Sequence, residues 1–257
     1  MKLFVPLMIA SFYSDKALPP KLKNLSIAVI IIIVPGLLIA KQPDLGTALL
    51  ITSSGVIAIF LSGIKLTHIF LGTGLVIGAI PVLWSFMYEY QKSRILSFFS
   101  PNQDTLGTGY HLAQSKISLG SGGLFGKGYM NGTQSQLDFL PENHTDFIFS
   151  AFGEEFGFVG SIILILLYMA LIGIAIRMAL TSKSLFSKFL SLGVCSVFFI
   201  YVFVNIGMVT GLLPVVGVPL PFISYGGSSM LAVMFGFGLL TNCYINYNTT
   251  LTKGSFI

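Results

Sequence analysis

Charge is scarce in this chain. Lys, Arg, Asp and Glu make up 9% of its 257 residues, against roughly 25% in a soluble domain. With 54% hydrophobic residues and a mean hydropathy of +0.88, water cannot be its main solvent, but lipid can. Cysteine is nearly absent. Cys195 and Cys243 lie inside apolar runs, which reads as two small buried hydrophobes rather than a disulfide or a metal pair. Three scattered histidines and no Cys/His cluster argue against a zinc site. No cleavable signal peptide is evident: only Lys2 precedes the run 3–13, and no small-residue cleavage site follows it. The long apolar runs also lack ionisable groups. A proton-coupled transporter usually places an Asp, Glu or Arg in mid-membrane, so that class is disfavoured. Nothing points to nucleic acid.

What is present is apolar sequence of bilayer length. A crossing helix needs about 20 mostly apolar residues. Runs at 25–40, 45–63, 68–88, 158–176, 189–211 and 229–244 predict six spans. The run 1–13 is too short to cross alone and reads as the second half of a span whose beginning lies upstream. Counting it, the expected architecture is all-α and polytopic, with seven membrane segments in a single membrane domain, 1–257. Basic residues fall in alternate connections: Lys16, Lys21 and Lys23, then Lys65, then Arg177, Lys183 and Lys188, then Lys253. Placing these inside satisfies the positive-inside rule at every turn. The C-terminus is then cytoplasmic, and 41–44, a long loop 89–156 and a second loop 212–228 lie outside. Every acid except Asp15 falls on that outer side.

The outer loops carry the chemistry. A loop as long as 89–156 without function is uncommon. Within it, Leu112, Ser115/Lys116 and Leu119 recur at helical spacing, so 111–119 reads as a short amphipathic helix on the membrane surface. The glycine-rich run 120–128 permits close backbone approach and positive φ. Lys127, between two glycines, suits an anion such as phosphate, although a plain turn between two helices fits the spacing as well. Pro141 keeps Leu140 extended, so 142–145 read as a helix entry. Asp146 stands at that entry. It, or Thr145, caps the helix, or its carboxylate serves as a general base at the lipid–water boundary. Glu154 and Glu155 read as surface charge at the start of a span, or as partners for Arg94 and Lys127. Asp44 is a good N-cap for the helix beginning at Leu45, with catalysis as the other reading. The second outer loop is apolar yet full of Pro and Gly, so it cannot be a straight helix. Either it lines a cavity, with Ser224, Tyr225, Ser228 and Ser229 as polar contacts, or it dips into the headgroups.

Five of these segments, taken in order, resemble one family. They are Gln42-Pro-Asp-Leu-Gly-Thr-Ala48, the stretch 109–128, Leu140-Pro-Glu-Asn-His-Thr-Asp-Phe-Ile-Phe149, Gly153-Glu-Glu-Phe-Gly157 and Pro219-Leu-Pro-Phe-Ile-Ser-Tyr-Gly-Gly-Ser-Ser229. Together they resemble the SEDS proteins (shape, elongation, division and sporulation), and Gly132-Thr-Gln-Ser-Gln-Leu-Asp-Phe-Leu-Pro-Glu142 looks most like the RodA branch, with FtsW and SpoVE nearest to it. The resemblance implies a ten-span fold of which this chain matches the fourth span onward. It implies a peptidoglycan glycosyltransferase of the bacterial inner membrane that polymerises lipid II during cell elongation and shape maintenance. It places the family's catalytic aspartate at Asp146 and substrate contacts at Glu142, His144, Thr145, Glu155, Ser224, Tyr225 and Ser228. Arg94, Lys116 and Lys127 are candidates to stabilise the leaving pyrophosphate, with a divalent cation (Mg or Mn) as a further candidate. The implied partners are a class B penicillin-binding protein transpeptidase and other membrane proteins of the elongation complex. The competing readings are a lipid II flippase and a non-catalytic scaffold of that complex.

Overall fold

The structure, a computed structural model, describes residues 2–42, 44–99, 108–136 and 144–245. The described residues form α1 (Phe4–Ser14), α2 (Leu22–Ala40), α3 (Leu45–Leu61), α4 (Leu66–Phe86), α5 (Glu89–Phe99), α6 (Thr108–Ser121), α7 (Thr133–Gln136), α8 (Ile148–Thr181), α9 (Leu185–Thr210) and α10 (Gly227–Ile245), with no strand among them. Lipid offers no hydrogen bonds to a peptide group, so a helix that satisfies its own backbone is the expected form. Five helices are long and apolar enough to cross a membrane: α2, α4, α8, α9 and α10. The apolar helices α1 and α3 are shorter. Each apolar run expected to span is a helix, and the chain is an all-α polytopic membrane protein.

The described part of the stretch 89–156 is mostly helical, because it contains α5, α6, α7 and the start of α8. At 1.5 Å per residue α8 would be about 51 Å long, well beyond a hydrocarbon core of about 30 Å. It is not one straight rod. Gly157 interrupts it with φ 68° and ψ −165°, and the apolar run predicted to span begins just after, at Phe158. Helix α4 has no buried residue. It presents apolar side chains on every side, as suits a helix solvated by lipid.

The chain divides into two compact units. The first comprises Met1–Leu66, Ala170–Ile200 and Met230–Ile257. Its core gathers Val5, Ile9 and Tyr13 of α1, Ala28 and Ile32 of α2, Ile51 and Ile59 of α3, and Phe189 and Val194 of α9. The Tyr13 and Phe189 rings lie 5.6 Å apart. Small residues set the helix spacing: a Cβ on Gly55 would meet the Ile32 side chain at 2.5 Å, and one on Gly36 would meet Thr52 at 2.5 Å. Close backbone approach of this kind replaces the hydrophobic drive that lipid cannot supply between helices. Asp44 caps α3 as its position suggested, accepting a hydrogen bond from the Thr47 amide at 2.9 Å.

The second unit comprises Thr67–Met169 and Tyr201–Ser229. It contains α4 to α7, the outer part of α8, the end of α9 and the second outer loop, and it holds every described residue proposed as a site contact.

The α2–α3 contact can be tested by filling it. Gly55→Leu should lower stability by about 1–3 kcal/mol through overpacking, seen as a lower melting temperature of the detergent-solubilised protein. Gly74→Leu on α4, where nothing lies within 4 Å, should shift stability by no more than about 0.5 kcal/mol.

Candidate active site

Residues 144–147 form a turn immediately before α8. Helix α8 opens at Ile148, so Thr145 and Asp146 stand ahead of it rather than inside it. The turn is tied to the second outer loop by one backbone bond and by side-chain bonds. The Tyr225 amide donates to the His144 carbonyl at 2.8 Å. The Ser224 hydroxyl donates to the Thr145 carbonyl at 2.6 Å and accepts from the Leu220 amide at 2.6 Å. Asn205, fully buried on α9, donates from Nδ2 to the Asp146 carbonyl at 2.8 Å and to the Val218 carbonyl. One amide group therefore clamps the turn to the loop.

Part of the second outer loop packs into protein, since Val216, Val218 and Leu220 are buried. Its freed carbonyls are met by side chains. Tyr168 donates to the Pro221 carbonyl at 2.6 Å, and Arg94 of α5 donates from Nη1 to the Val216 carbonyl at 3.1 Å. This satisfies the condition that broken backbone at membrane depth must meet. The next residue, Gly217, has φ +77°, and a Cβ there would lie 3.2 Å from Asp146 Oδ2. The Asp146 carboxylate thus rests against a position that only glycine fills comfortably. A guanidinium and a carboxylate flank the same two residues, 216 and 217.

A second polar centre lies at the break in α8. In a continuous helix the amides of Phe158 and Val159 would donate to the carbonyls of Glu154 and Glu155. Here the glycine-rich loop is inserted between them. Phe158 N donates to Gly123 O at 2.9 Å and Val159 N to Leu124 O at 3.1 Å. In return Lys127 N donates to Glu154 O and Gly128 N to Glu155 O, each at 3.0 Å. Four bonds to the loop replace two within the helix. This approach requires glycine: a Cβ on Gly122 would strike the Gly153 carbonyl, one on Gly126 the Glu155 carbonyl, and one on Gly157 the Gly126 amide. The close backbone approach expected of 120–128 is made to the protein's own α8.

The Glu154 side chain fastens this insertion. It is fully buried. Its Oε1 accepts from Lys127 Nζ at 2.7 Å, from the Thr133 amide at 2.8 Å and hydroxyl at 3.0 Å, and from the Gln134 amide at 3.1 Å. The hydroxyls of Ser121 and Ser118 add bonds of 3.3 Å to Oε1 and Oε2. Burial alone would raise the carboxyl pKa, but the bonds from Lys127, Gln134 and Thr133 outweigh it and lower it from 4.5 to about 2. The group precedes Gly157 and so lies outside the apolar span.

Helix α6 joins the two centres. Its buried face is Leu112, Ser115 and Ser118, close to the spacing read from the sequence, but it docks through hydroxyls onto protein. Ser115 donates to the Val209 carbonyl at 2.8 Å, and Ser118 to the Ser150 carbonyl at 3.1 Å. The His111 ring lies 6.3 Å from that of Phe147, the residue after Asp146. The side-chain atoms His111 Nδ1, Gln114 Oε1, Gln134 Oε1 and Asn205 Oδ1 are buried without a protein partner among the described residues.

The structure thus brings His144, Thr145, Asp146, Ser224 and Tyr225 together, with Arg94 attached to the same loop. Ser228, in the first turn of α10, is exposed. Lys127 is engaged differently from the anion contact expected of it, since its ammonium balances Glu154. The Lys116 side chain runs against Gly211, just past the end of α9, where a cation favours the helix dipole. Glu155 is half-buried, and its carbonyl rather than its side chain enters the inserted loop. Arg94 pairs with neither Glu154 nor Glu155. Glu142 lies outside the described residues. Among those described, no three His, Cys, Asp or Glu side chains come together to hold a metal. Sequence reasoning passed over Glu154 as a hub and missed Asn205 and Tyr168. The available signal for the last two was a lone amide and a lone phenol within apolar runs, where a polar group must find a partner.

The family model described as cell cycle protein, FtsW/RodA/SpoVE, matches residues 1–249. The chain is 50% identical over 244 residues to the peptidoglycan glycosyltransferase MrdB of Escherichia coli K12, covering 95% of this chain and 66% of that protein. It is 44% identical over 214 residues to a probable peptidoglycan glycosyltransferase FtsW of Trichlorobacter lovleyi, covering 83% of this chain and 55% of the relative. The chain therefore spans about two thirds or less of the length of these curated relatives. Among solved structures, a chain of a peptidoglycan synthase complex that coordinates polymerization and crosslinking superposes with a TM-score of 0.80 at 27% identity, covering 97% of this chain and 69% of that one.

The Glu154 centre has a pH signature. A carboxyl whose pKa is lowered by folding stabilises the protein above its unfolded pKa and ceases to do so below its folded one. Stability should therefore fall as pH drops from 4.5 towards about 2. Glu154→Gln should flatten that part of the profile, measured as melting temperature against pH in detergent.

Proposed function

We propose, for a chain that belongs to the FtsW/RodA/SpoVE family of cell cycle proteins, that it is the catalytic part of a peptidoglycan glycosyltransferase, polymerising a lipid-linked disaccharide with Asp146 as its base. The observation that carries this reading is the setting of Asp146. Its turn is pinned by Asn205, Ser224 and Tyr225, its carboxylate lies against Gly217, and Arg94 is bound to the neighbouring Val216 carbonyl. The names of the relatives support the same activity.

Chain growth joins the 4-hydroxyl of one sugar to C1 of another and expels a lipid-linked pyrophosphate. As the hydroxyl oxygen attacks, its proton must leave, and a carboxylate within hydrogen-bond reach accepts it. The negative charge that develops on the pyrophosphate needs a positive partner held in place beforehand. Arg94 is the nearest candidate by position, and Lys116 is a second. Lys127 contributes less, because Glu154 already neutralises it. No covalent intermediate on the protein is needed, so a single displacement inverts the anomeric centre and yields a β-1,4 link. His144, Thr145 and Tyr225, on the turn and the loop beside Asp146, are the candidates to meet sugar hydroxyls and acetamido groups. The substrate is lipid II, whose polyprenyl tail stays in the bilayer while its head reaches Asp146. The chain has its C-terminus in the cytoplasm. Its partner is a class B penicillin-binding protein that cross-links the new strand, in line with the synthase complex found among the structural neighbours.

Asp146→Asn in the full-length protein, reconstituted with lipid II, should lower glycan polymerisation at least about 100-fold with the protein still folded. Polymer formed at the parent rate would remove Asp146 from the chemistry. Arg94→Ala should reduce the rate less than Asp146→Asn.

A further inference from the structure

We propose that Glu154 is a positioning residue for Asp146: its carboxylate holds the glycine-rich loop inside the break of α8, and the break sets the angle at which the segment carrying Asp146 departs from the membrane helix. This rests on the reading of Asp146 as the reacting base. Residues 148–156 form a short helical arm of roughly two and a half turns. Its outer end follows the turn clamped by Asn205 and Ser224. Its inner end stops at Gly157, where loop and helix exchange four backbone bonds.

Two arrangements of this arm are chemically available. In the one described, the loop occupies the break. In the other, the loop withdraws, Gly157 takes helical angles, and the amides of Phe158 and Val159 return to the carbonyls of Glu154 and Glu155. The second arrangement forfeits the four loop bonds, regains two, and gives up the bonds from Asn205, Ser224 and Tyr225 that hold the turn. A helix turns about 100° per residue, so removing the irregularity at residue 157 rotates the arm about its axis and carries Asp146 away from Gly217. Glu154 selects the first arrangement, because its carboxylate gathers donors from each segment that must be in place: Lys127 of the loop, Thr133 and Gln134 of α7, and Ser118 and Ser121 of α6. In the withdrawn arrangement that buried carboxylate would lose the Lys127 ammonium. Glu154 touches none of the residues proposed to meet substrate except Lys127, so its influence on the reaction passes through geometry.

The test uses the full-length protein in lipid vesicles, with polymerisation measured against lipid II concentration and amide hydrogen exchange measured over 122–128. Glu154→Ala should lower kcat about 100-fold with KM changed less than threefold, and exchange at Lys127 and Gly128 should quicken at least tenfold. Glu154→Gln, which keeps the shape and an acceptor oxygen, should restore kcat to within about tenfold of the parent. Gly157→Ala approaches the same state from the other side. It disfavours φ 68° and pushes a Cβ into the Gly126 amide, so it should reproduce both effects with Glu154 intact. Should Glu154→Ala fail to fold, Gly157→Ala and Glu154→Gln decide the matter. The proposal is overturned if kcat stays within threefold of the parent in Glu154→Ala or Gly157→Ala, or if it falls while exchange over 122–128 is unchanged. Asp146→Asn, run alongside, separates the two levels. If that variant polymerises normally, the reading of the base is wrong. If it is inactive while Glu154→Ala is normal, only the positioning role fails.

Discussion

A peptide group inside a bilayer has no water to bond with, and the second unit of this protein meets that constraint where its chain departs from helix beside Asp146. Several of the freed backbone groups there have a side-chain partner among the described residues. Asn205 serves the Asp146 and Val218 carbonyls, Tyr168 serves Pro221, and Arg94 serves Val216. At Gly157 the partner is another stretch of backbone. An unmade bond of this kind costs about 1–3 kcal/mol, so several together would exceed much of a domain's net stability. Irregular backbone is what lets the turn 144–147 face a loop with its carboxylate at the surface of the packing. The polar partners are what allow the backbone to be irregular.

The two units meet the same lipid by different means. The first packs apolar helices closely through Gly36 and Gly55 and carries a core of Ile, Val, Tyr and Phe. The second relies on buried amide, hydroxyl and carboxylate groups. Close packing holds a helix bundle together, whereas directional bonds fix where a reacting group stands.

The fold was legible in the sequence because lipid simplifies the code. Apolar runs of the right length gave the spans, and each expected span is a helix. The helix at 111–119 was legible from Leu112, Ser115 and Leu119, but not what it docks against, since a serine buried by bonding to a distant carbonyl looks in sequence like a surface serine. Asp44 as a cap was readable because a cap is a local interaction spanning three residues. Glu154 was not, because its donors come from residues 20 to 36 positions away, and no local pattern marks a carboxylate that gathers them. Its neighbour Glu155 has the same sequence setting and a different fate, decided by which side of the helical arm faces the loop. Asp146 was singled out by its place in a motif. Its contact with Gly217 joins residues 71 positions apart, a distance that only the folded chain resolves.

Helix α6 is seated by hydroxyls at Ser115 and Ser118 as well as by the buried Leu112. Apolar association loosens on cooling as its entropic drive fades, but a hydroxyl bonded to a carbonyl does not depend on that drive. The two kinds of contact on α6 therefore respond to temperature in different ways. The hydroxyl bonds also have a short reach, since a serine oxygen sits one bond beyond Cβ, so they hold the position of α6 more tightly than the leucine does.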